Sequence, residues 1–216
     1  MDQALEARLE GLLDRQEIYD RLMKYIRGID RNDGDLVQDT FWPDALVDHG
    51  HSKFRGEGIG EIFGDVSKHA TRGQSHWIMG FVAEIHGDQA ITEAPSLYVA
   101  ETERNGVAYI WQRSIRYIDR WEKRDGVWRV FHRTVVESWN RIDPIVERFP
   151  PNPNMIMAGS GRDDRSYELF ELTRKNEKPP LELPDNAPGT ESAERRTDVA
   201  GFRAAKNEFW KVRDEG

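Results

Sequence analysis

Three polar residues far apart in the chain carry the chemistry that this sequence can offer. They are Asp30, His76 and Arg133. Asp30 closes the segment Tyr-Ile-Arg-Gly-Ile-Asp-Arg, His76 opens the apolar run His-Trp-Ile-Met-Gly-Phe-Val, and Arg133 sits within Val-Trp-Arg-Val-Phe-His-Arg-Thr-Val-Val. An imidazole titrates near pH 6.5, so a carboxylate-backed histidine is a base matched to neutral pH. A guanidinium nearby can hold the negative charge that such a base creates on an oxygen. If the fold gathers the three in one pocket, they make an enzyme that needs no cofactor.

Other residues compete with or extend this set. Tyr25 lies five positions before Asp30, about 1.4 helical turns, and can serve as a phenolic acid or as core packing. Arg113 and His132 are rival strand residues to Arg133. Asp48-His49-Gly50-His51 has metal-binding residue types, but Gly50 signals a turn that would separate the two imidazoles. His49 is therefore read as a substrate contact near the pocket mouth and no metal is expected. Trp42, Trp77 and Trp111 are candidate pocket walls for a flat ligand, with Trp139 a further one. Gly-x-Gly-x-x-Gly, Walker-type and Gly-x-Ser-x-Gly motifs are absent, which removes support for nucleotide binding and serine hydrolysis.

The elements that must position these side chains follow from periodicity. Leu5, Leu9, Leu12, Leu13, Ile18, Leu22, Ile26 and Ile29 recur at three- and four-residue steps and predict a long first helix ending near Asp30. A short helix is expected over 35–41, a short strand from Asp44, and a third helix over 58–68 with Ile59, Ile62, Phe63 and Val66 on one face. The period then changes to two. Strands are expected over 76–86, 90–101, 107–120 and 127–138, separated by Gly87-Asp88, Asn105-Gly106 and Asp125-Gly126. Links this short require antiparallel neighbours. The expected fold is α+β, with N-terminal helices packed on a curved antiparallel sheet.

Composition sets the outer limits. The chain has 216 residues, 38% of them hydrophobic, with 31 basic and 39 acidic residues and a net charge of −8. No basic block invites nucleic acid or anionic lipid. With no cysteine, disulfides, thiolate metal sites and a cysteine nucleophile are excluded. The charged N-terminus lacks an apolar signal core, and no run approaches the ~20 apolar residues of a membrane span, so a cytoplasmic protein is expected. Eight of the ten prolines lie from residue 144 onward. This divides the chain into a domain over 1–143 and a Pro-rich C-terminal extension over 144–216. The extension is expected to be extended near 149–154, helical over 166–174 and again over 199–212, and loop-like over 176–198.

Residues 13–142 resemble the SnoaL-like branch of the nuclear transport factor 2-like superfamily. The resemblance rests on Gly-Ile-Asp-Arg, Phe-Trp-Pro-Asp-Ala-Leu-Val-Asp-His, Phe-Arg-Gly, and the hairpin Tyr-Ile-Asp-Arg-Trp-Glu-Lys-Arg-Asp-Gly-Val-Trp-Arg-Val. It implies a cone-shaped α+β barrel enclosing a deep pocket. Within the superfamily the catalytic pattern is similar to that of the scytalone dehydratase and hexachlorocyclohexane dehydrochlorinase types, cofactor-free lyases with an Asp–His pair. Asp30 and His76 match that pair, and Arg133 falls where the dehydrochlorinases carry an arginine. Their lysine before the aspartate has only Lys24 and Tyr25 nearby, a departure that argues against dechlorination and for a tyrosine-assisted reaction. The superfamily also holds lyases that release formaldehyde from lignin-derived diarylpropanes, with which this chain is compatible.

The resemblance thus implies a cofactor-independent lyase for a small, hydroxylated, aromatic substrate, acting by dehydration or retro-aldol cleavage, in a homodimer or homotrimer. The alternatives are a non-catalytic ligand- or partner-binding module and an isomerase of the ketosteroid type.

Overall fold

The computed structural model describes residues 2–64, 71–148 and 157–177. The chain forms two compact units, one of Met1–Pro150 with Ala158–Arg165 and one of Pro151–Met157 with Ser166–Gly216. In the first unit, helices α1 (Gln3–Arg31), α2 (Gly34–Thr40) and α3 (Ile59–Gly64) accompany seven strands. These are β1 (Phe41–Asp48), β2 (Lys53–Arg55), β3 (Thr71–Ile78), β4 (Val82–His86), β5 (Gln89–Arg104), β6 (Val107–Arg124) and β7 (Val127–Pro144). The second unit contributes most of α4 (Arg165–Arg174), none of whose residues is buried. The expectations for Val66, Lys68, residues 149–154, most of 176–198 and 199–212 lie outside the described residues.

Helix α1 starts where Asp2 caps it, its carboxylate accepting from the Ala4 amide at 3.1 Å. It ends at Asn32, which takes the left-handed conformation at φ 55°. Its apolar stripe is used unevenly. Ile18, Leu22, Tyr25, Ile26 and Ile29 are buried, whereas Leu5, Leu9, Leu12 and Leu13 are exposed. The buried stretch packs with Phe41, Trp121, Trp128 and Val130 of the sheet, and each such aliphatic side chain contributes roughly 1.5–3 kcal/mol. Asp14 anchors the helix to the sheet by accepting from the Trp128 indole at 2.9 Å and the Lys123 ammonium at 2.7 Å. Helices α2 and α3 meet through Gly34 and Gly60. A Cβ on Gly34 would come within 2.3 Å of the Gly60 carbonyl oxygen, so only glycine permits this approach.

The sheet order is β2-β1-β7-β6-β5-β3, with β4 also paired to β5. Strands β5, β6 and β7 are joined by two-residue turns in which Asn105, Gly106, Asp125 and Gly126 all have positive φ. The α+β reading holds, but two of its details change. First, β1 runs parallel to β7, so the sheet is mixed rather than antiparallel. Second, the strand expected over 76–86 breaks into β3 and β4. Ile78 pairs with Ser96 and Val82 with Glu93, while the Met79 amide reaches the Pro95 carbonyl at 2.8 Å. In an antiparallel strand a residue's N–H and C=O face the same neighbour, and Pro95 has no N–H to continue that ladder.

Candidate active site

Strand register builds the site. His76 on β3 pairs with Tyr98 on β5, and Tyr98 pairs with Arg113 on β6, so the three form one row across the inner face of the sheet. The C-terminal turn of α1 brings Asp30 against the β3 end of that row. One carboxylate oxygen of Asp30 lies 2.7 Å from His76 Nδ1, and the other accepts from the His76 backbone amide at 3.0 Å. With Asp30 ionised, Nδ1 carries the proton and donates it to the carboxylate. The two bonds fix both the tautomer and the rotamer. His76 Nε2 has no hydrogen bond among the described residues and is left as the basic nitrogen. A carboxylate at a helix C-terminus costs about 0.3–1 kcal/mol against the dipole, and the bonds from His76 offset that placement.

His76 is largely buried and lines a cavity of about 130 Å³. Its polar wall is made by His49, Gln74, His76, Tyr98, Arg113 and Tyr117, and its apolar wall by Ile29, Phe63, Ile115 and Val135. The Tyr98 ring lies 4.6 Å from the His76 ring and its hydroxyl is directed to Gln74 Oε1 at 3.4 Å. The Gln74 amide in turn donates to the Ile29 carbonyl at 2.6 Å. Burial pushes the Tyr98 phenol up to about 12 and the Tyr117 phenol well above its ordinary value, so both stay neutral donors near pH 7. Arg113 stacks on Trp111 at 5.1 Å and donates to Glu137, which places the cation of this wall in an ion pair at the rim.

His49 occupies the turn after β1. Asp48 accepts from the Gly50 amide at 2.7 Å, and the His49 amide donates to the Ser52 carbonyl at 2.9 Å. The imidazole rests against Phe54 and Phe63, with ring centroids at 5.6 and 6.1 Å. Burial, with the nearby Arg133 charge second, lowers its pKa to about 4. Among the described residues no group of three or more histidine and carboxylate side chains is placed to hold a metal ion.

The remaining candidates stand elsewhere. Arg133, expected at the pocket, is fully buried and forms two bonds of 2.6 Å with Asp119. Its guanidinium carbon lies 4.1 Å from the Tyr25 ring centroid and 4.5 Å from that of Tyr117, so a cavity-lining phenol covers it. The reason is a bulge in β7: Trp121 pairs with Val130 but Arg120 pairs with His132. The extra residue turns Arg133 onto the inner face with Val130, away from the face of Arg129 that plain alternation assigns to it. Tyr25 is core, edge-on to Phe41 at 5.6 Å, and does not line the cavity. Trp77 is 59% exposed, because adjacent strand residues face opposite sides and His76 takes the inner one. Trp42 lies between Arg124 and Arg129, its indole donating to the Glu122 carbonyl at 3.0 Å. Trp111 is one step beyond the lining, edge-on to Tyr98 at 5.6 Å.

Tyr98, Gln74 and Tyr117 are the polar cavity residues that sequence reasoning missed. Tyr98 was within reach: the Asn105-Gly106 turn sets residues 104 and 107 opposite each other, and counting back puts 98 opposite 113.

A SnoaL-like domain model matches residues 10–134. The chain belongs to the SnoaL-like family. A search of curated proteins finds no match. Among solved structures, this SnoaL-like domain is similar to a hexachlorocyclohexane dehydrochlorinase from Novosphingobium barchaimii LL02, with a TM-score of 0.58 and 19% identity over 67% of this chain and 99% of that one. A type 2 hexachlorocyclohexane dehydrochlorinase gives the same TM-score of 0.58 at 18% identity, over 68% and 99% of the two chains. A candidate scytalone dehydratase from Novosphingobium aromaticivorans DSM 12444 gives 0.53 at 15% identity, over 70% and 94%. At these identities the likeness establishes the nuclear transport factor 2-like fold, with helices on a curved mixed sheet. No helix among the described residues is long and apolar enough to cross a membrane.

Proposed function

We propose that this SnoaL-like protein is a cofactor-independent lyase acting on a small, hydroxylated aromatic compound, with His76 and Asp30 as its acid–base pair. The observation that carries this reading is the pair of hydrogen bonds from His76 to Asp30, one through Nδ1 at 2.7 Å and one from the backbone amide at 3.0 Å. It holds the imidazole at the cavity wall with its second nitrogen available. The dehydrochlorinase and the candidate dehydratase among the structural neighbours support elimination chemistry as the reaction class.

In a dehydration, His76 Nε2 removes a proton from carbon, the electron pair forms the double bond, and the C–O bond breaks. The departing hydroxide takes that proton back from His76 Nε2 and leaves as water. In a retro-aldol cleavage, the same nitrogen removes a hydroxyl proton, the C–C bond breaks to release a small aldehyde, and the proton returns to the carbanion. Both balance without a further reactant. Tyr98 and Tyr117, neutral and buried, serve as hydrogen-bond donors to the oxygen that gains charge, with Arg113 as the cation at the rim. Water exclusion strengthens these interactions.

The test is product analysis with His76→Gln. Loss of turnover with retained folding supports the proposal, and full activity in that variant sinks it. A rearranged double bond without loss of water or aldehyde indicates an isomerase.

A further inference from the structure

Two hydrogen bonds run from His76 to Asp30, and a third runs from the same strand to the residue before Asp30. Its donor is Gln74, whose side-chain amide meets the Ile29 carbonyl at 2.6 Å. Gln74 pairs with Ala100 and His76 with Tyr98, so the two side chains share one face of β3. Carbonyls in the last turn of a helix lack intrahelical partners. At this end of α1 the Gly28 carbonyl accepts from the Asp33 amide at 2.8 Å, whereas the backbone partner of the Ile29 carbonyl is the Asn32 amide at 3.5 Å. Gln74 thus supplies the short bond at Ile29. The Ile29 carbonyl shares a rigid peptide plane with the Asp30 amide, so this bond fixes the backbone from which the Asp30 carboxylate projects. It also engages a carbonyl whose partial negative charge stands next to that carboxylate at the helix end.

We propose that Gln74 is a positioning residue for the Asp30–His76 pair, clamping the Ile29–Asp30 peptide to β3 so that the carboxylate stays aimed at His76 Nδ1. The proposal rests on the reading of Asp30 and His76 as the acid–base pair, and it names what aims them. A carbonyl oxygen only accepts, so the NH₂ end of Gln74 faces Ile29 and Oε1 is left for the Tyr98 hydroxyl, which donates to it at 3.4 Å. The two bonds differ in strength. The one to Ile29 is short and holds the helix end, whereas the one from Tyr98 is long for a hydroxyl, so the phenol can turn its proton to a substrate oxygen at little cost. Gln74 therefore acts on the pair through Ile29 and not through Tyr98.

NMR of the full chain with ¹⁵N-labelled histidine tests this without a substrate, by following the Nδ1 proton of His76. Gln74→Met keeps the side-chain length and removes both bonds. It should leave the melting temperature within a few degrees of the native value, yet the Nδ1 proton should exchange with water about 3- to 10-fold faster, the worth of one hydrogen bond. Tyr98→Phe keeps the ring and the Gln74–Ile29 bond, and should leave that exchange within about twofold of native. An unchanged His76 proton in Gln74→Met, or an equal change in Tyr98→Phe, overturns the proposal. The native protein supplies a second measurement if a variant fails to fold. There the Gln74 amide proton should be no less protected from exchange than the Nδ1 proton of His76. A Gln74 proton about 10-fold less protected would show the pair standing without the clamp and would also overturn it. Turnover separates the two readings. The exchange changes described, in a protein with no lyase activity, retain the clamp and remove the lyase. An active lyase whose Gln74→Met variant keeps the native kcat and the native His76 proton retains the lyase and removes the clamp.

Discussion

His76 with Asp30 and Arg133 with Asp119 are built alike and placed differently. Each joins a nitrogen base to a carboxylate through two bonds, at 2.7 and 3.0 Å in the first pair and 2.6 Å twice in the second. Both base residues sit on the inner face of the sheet. In the first pair the basic residue keeps a nitrogen free at a cavity. In the second, both side chains are 0% exposed and the guanidinium lies against three aromatic rings. Burial works against the Arg133 charge, but Asp119 outweighs it and holds the pKa above the ordinary arginine value. Residue chemistry alone does not distinguish a catalytic pair from a structural one. Among the described residues both bases keep a nitrogen without a hydrogen bond, and what distinguishes them is that His76 lines a cavity whereas Arg133 Nη1 is buried.

The largest effect that would break this comparison is on turnover. His76→Gln should lower kcat by about 10²–10⁴-fold, the usual contribution of one proton-transfer group, with a melting temperature within a few degrees of the native protein. A comparable loss of kcat in Arg133→Met without loss of stability would reverse the roles assigned to the two pairs.

Next is stability at the buried pair. Arg133→Met leaves Asp119 charged, buried and alone, and should destabilise the fold by about 3–5 kcal/mol in denaturant titration. Replacing both partners with Arg133→Met and Asp119→Leu should recover most of that loss. The equivalent double replacement at His76 and Asp30 should recover no activity.

The third prediction concerns pH. His49 has a folded-state pKa near 4 against about 6.5 unfolded. It is neutral in the fold, so its contribution is fully present above pH 6.5. As pH falls from 6.5 toward 4 the unfolded chain binds the extra proton and the contribution is lost, to at most about 3 kcal/mol. Denaturant titrations at pH 7.5 and 4.5 should show a smaller acid loss in His49→Leu than in the native protein. Equal losses would remove the depressed pKa from the argument.

The smallest expected effect is a control on the sheet. Gly106 has φ 75° in the β5–β6 turn, and a methyl group there would meet nothing within 4 Å. Gly106→Ala should cost about 1 kcal/mol through backbone strain alone, measured by thermal melting. Neither pair should respond, so kcat should be unchanged.

Much of this domain was legible before the fold was known. The change of period from 3.6 to two separates helices from strands, and the two-residue turns Asn105-Gly106 and Asp125-Gly126 set the hairpins between β5, β6 and β7. The placement of Asp30 at the end of α1 follows from the apolar stripe and from the αL cap at Asn32. These are local properties: periodicity, capping and turn chemistry depend on neighbours a few residues away, so the sequence determines them by itself. Tertiary structure decided which side chains face the cavity. The break at Pro95 matters only because β3 and β4 lie on that side of β5. The parallel pairing of β1 with β7 joins residues nearly 90 positions apart. The bulge in β7 moves one residue and turns Arg133 onto the inner face, opposite Asp119 rather than beside Arg129. A period of two makes facing sensitive to a single inserted residue. Where that residue is accommodated depends on long-range packing, which local sequence does not encode.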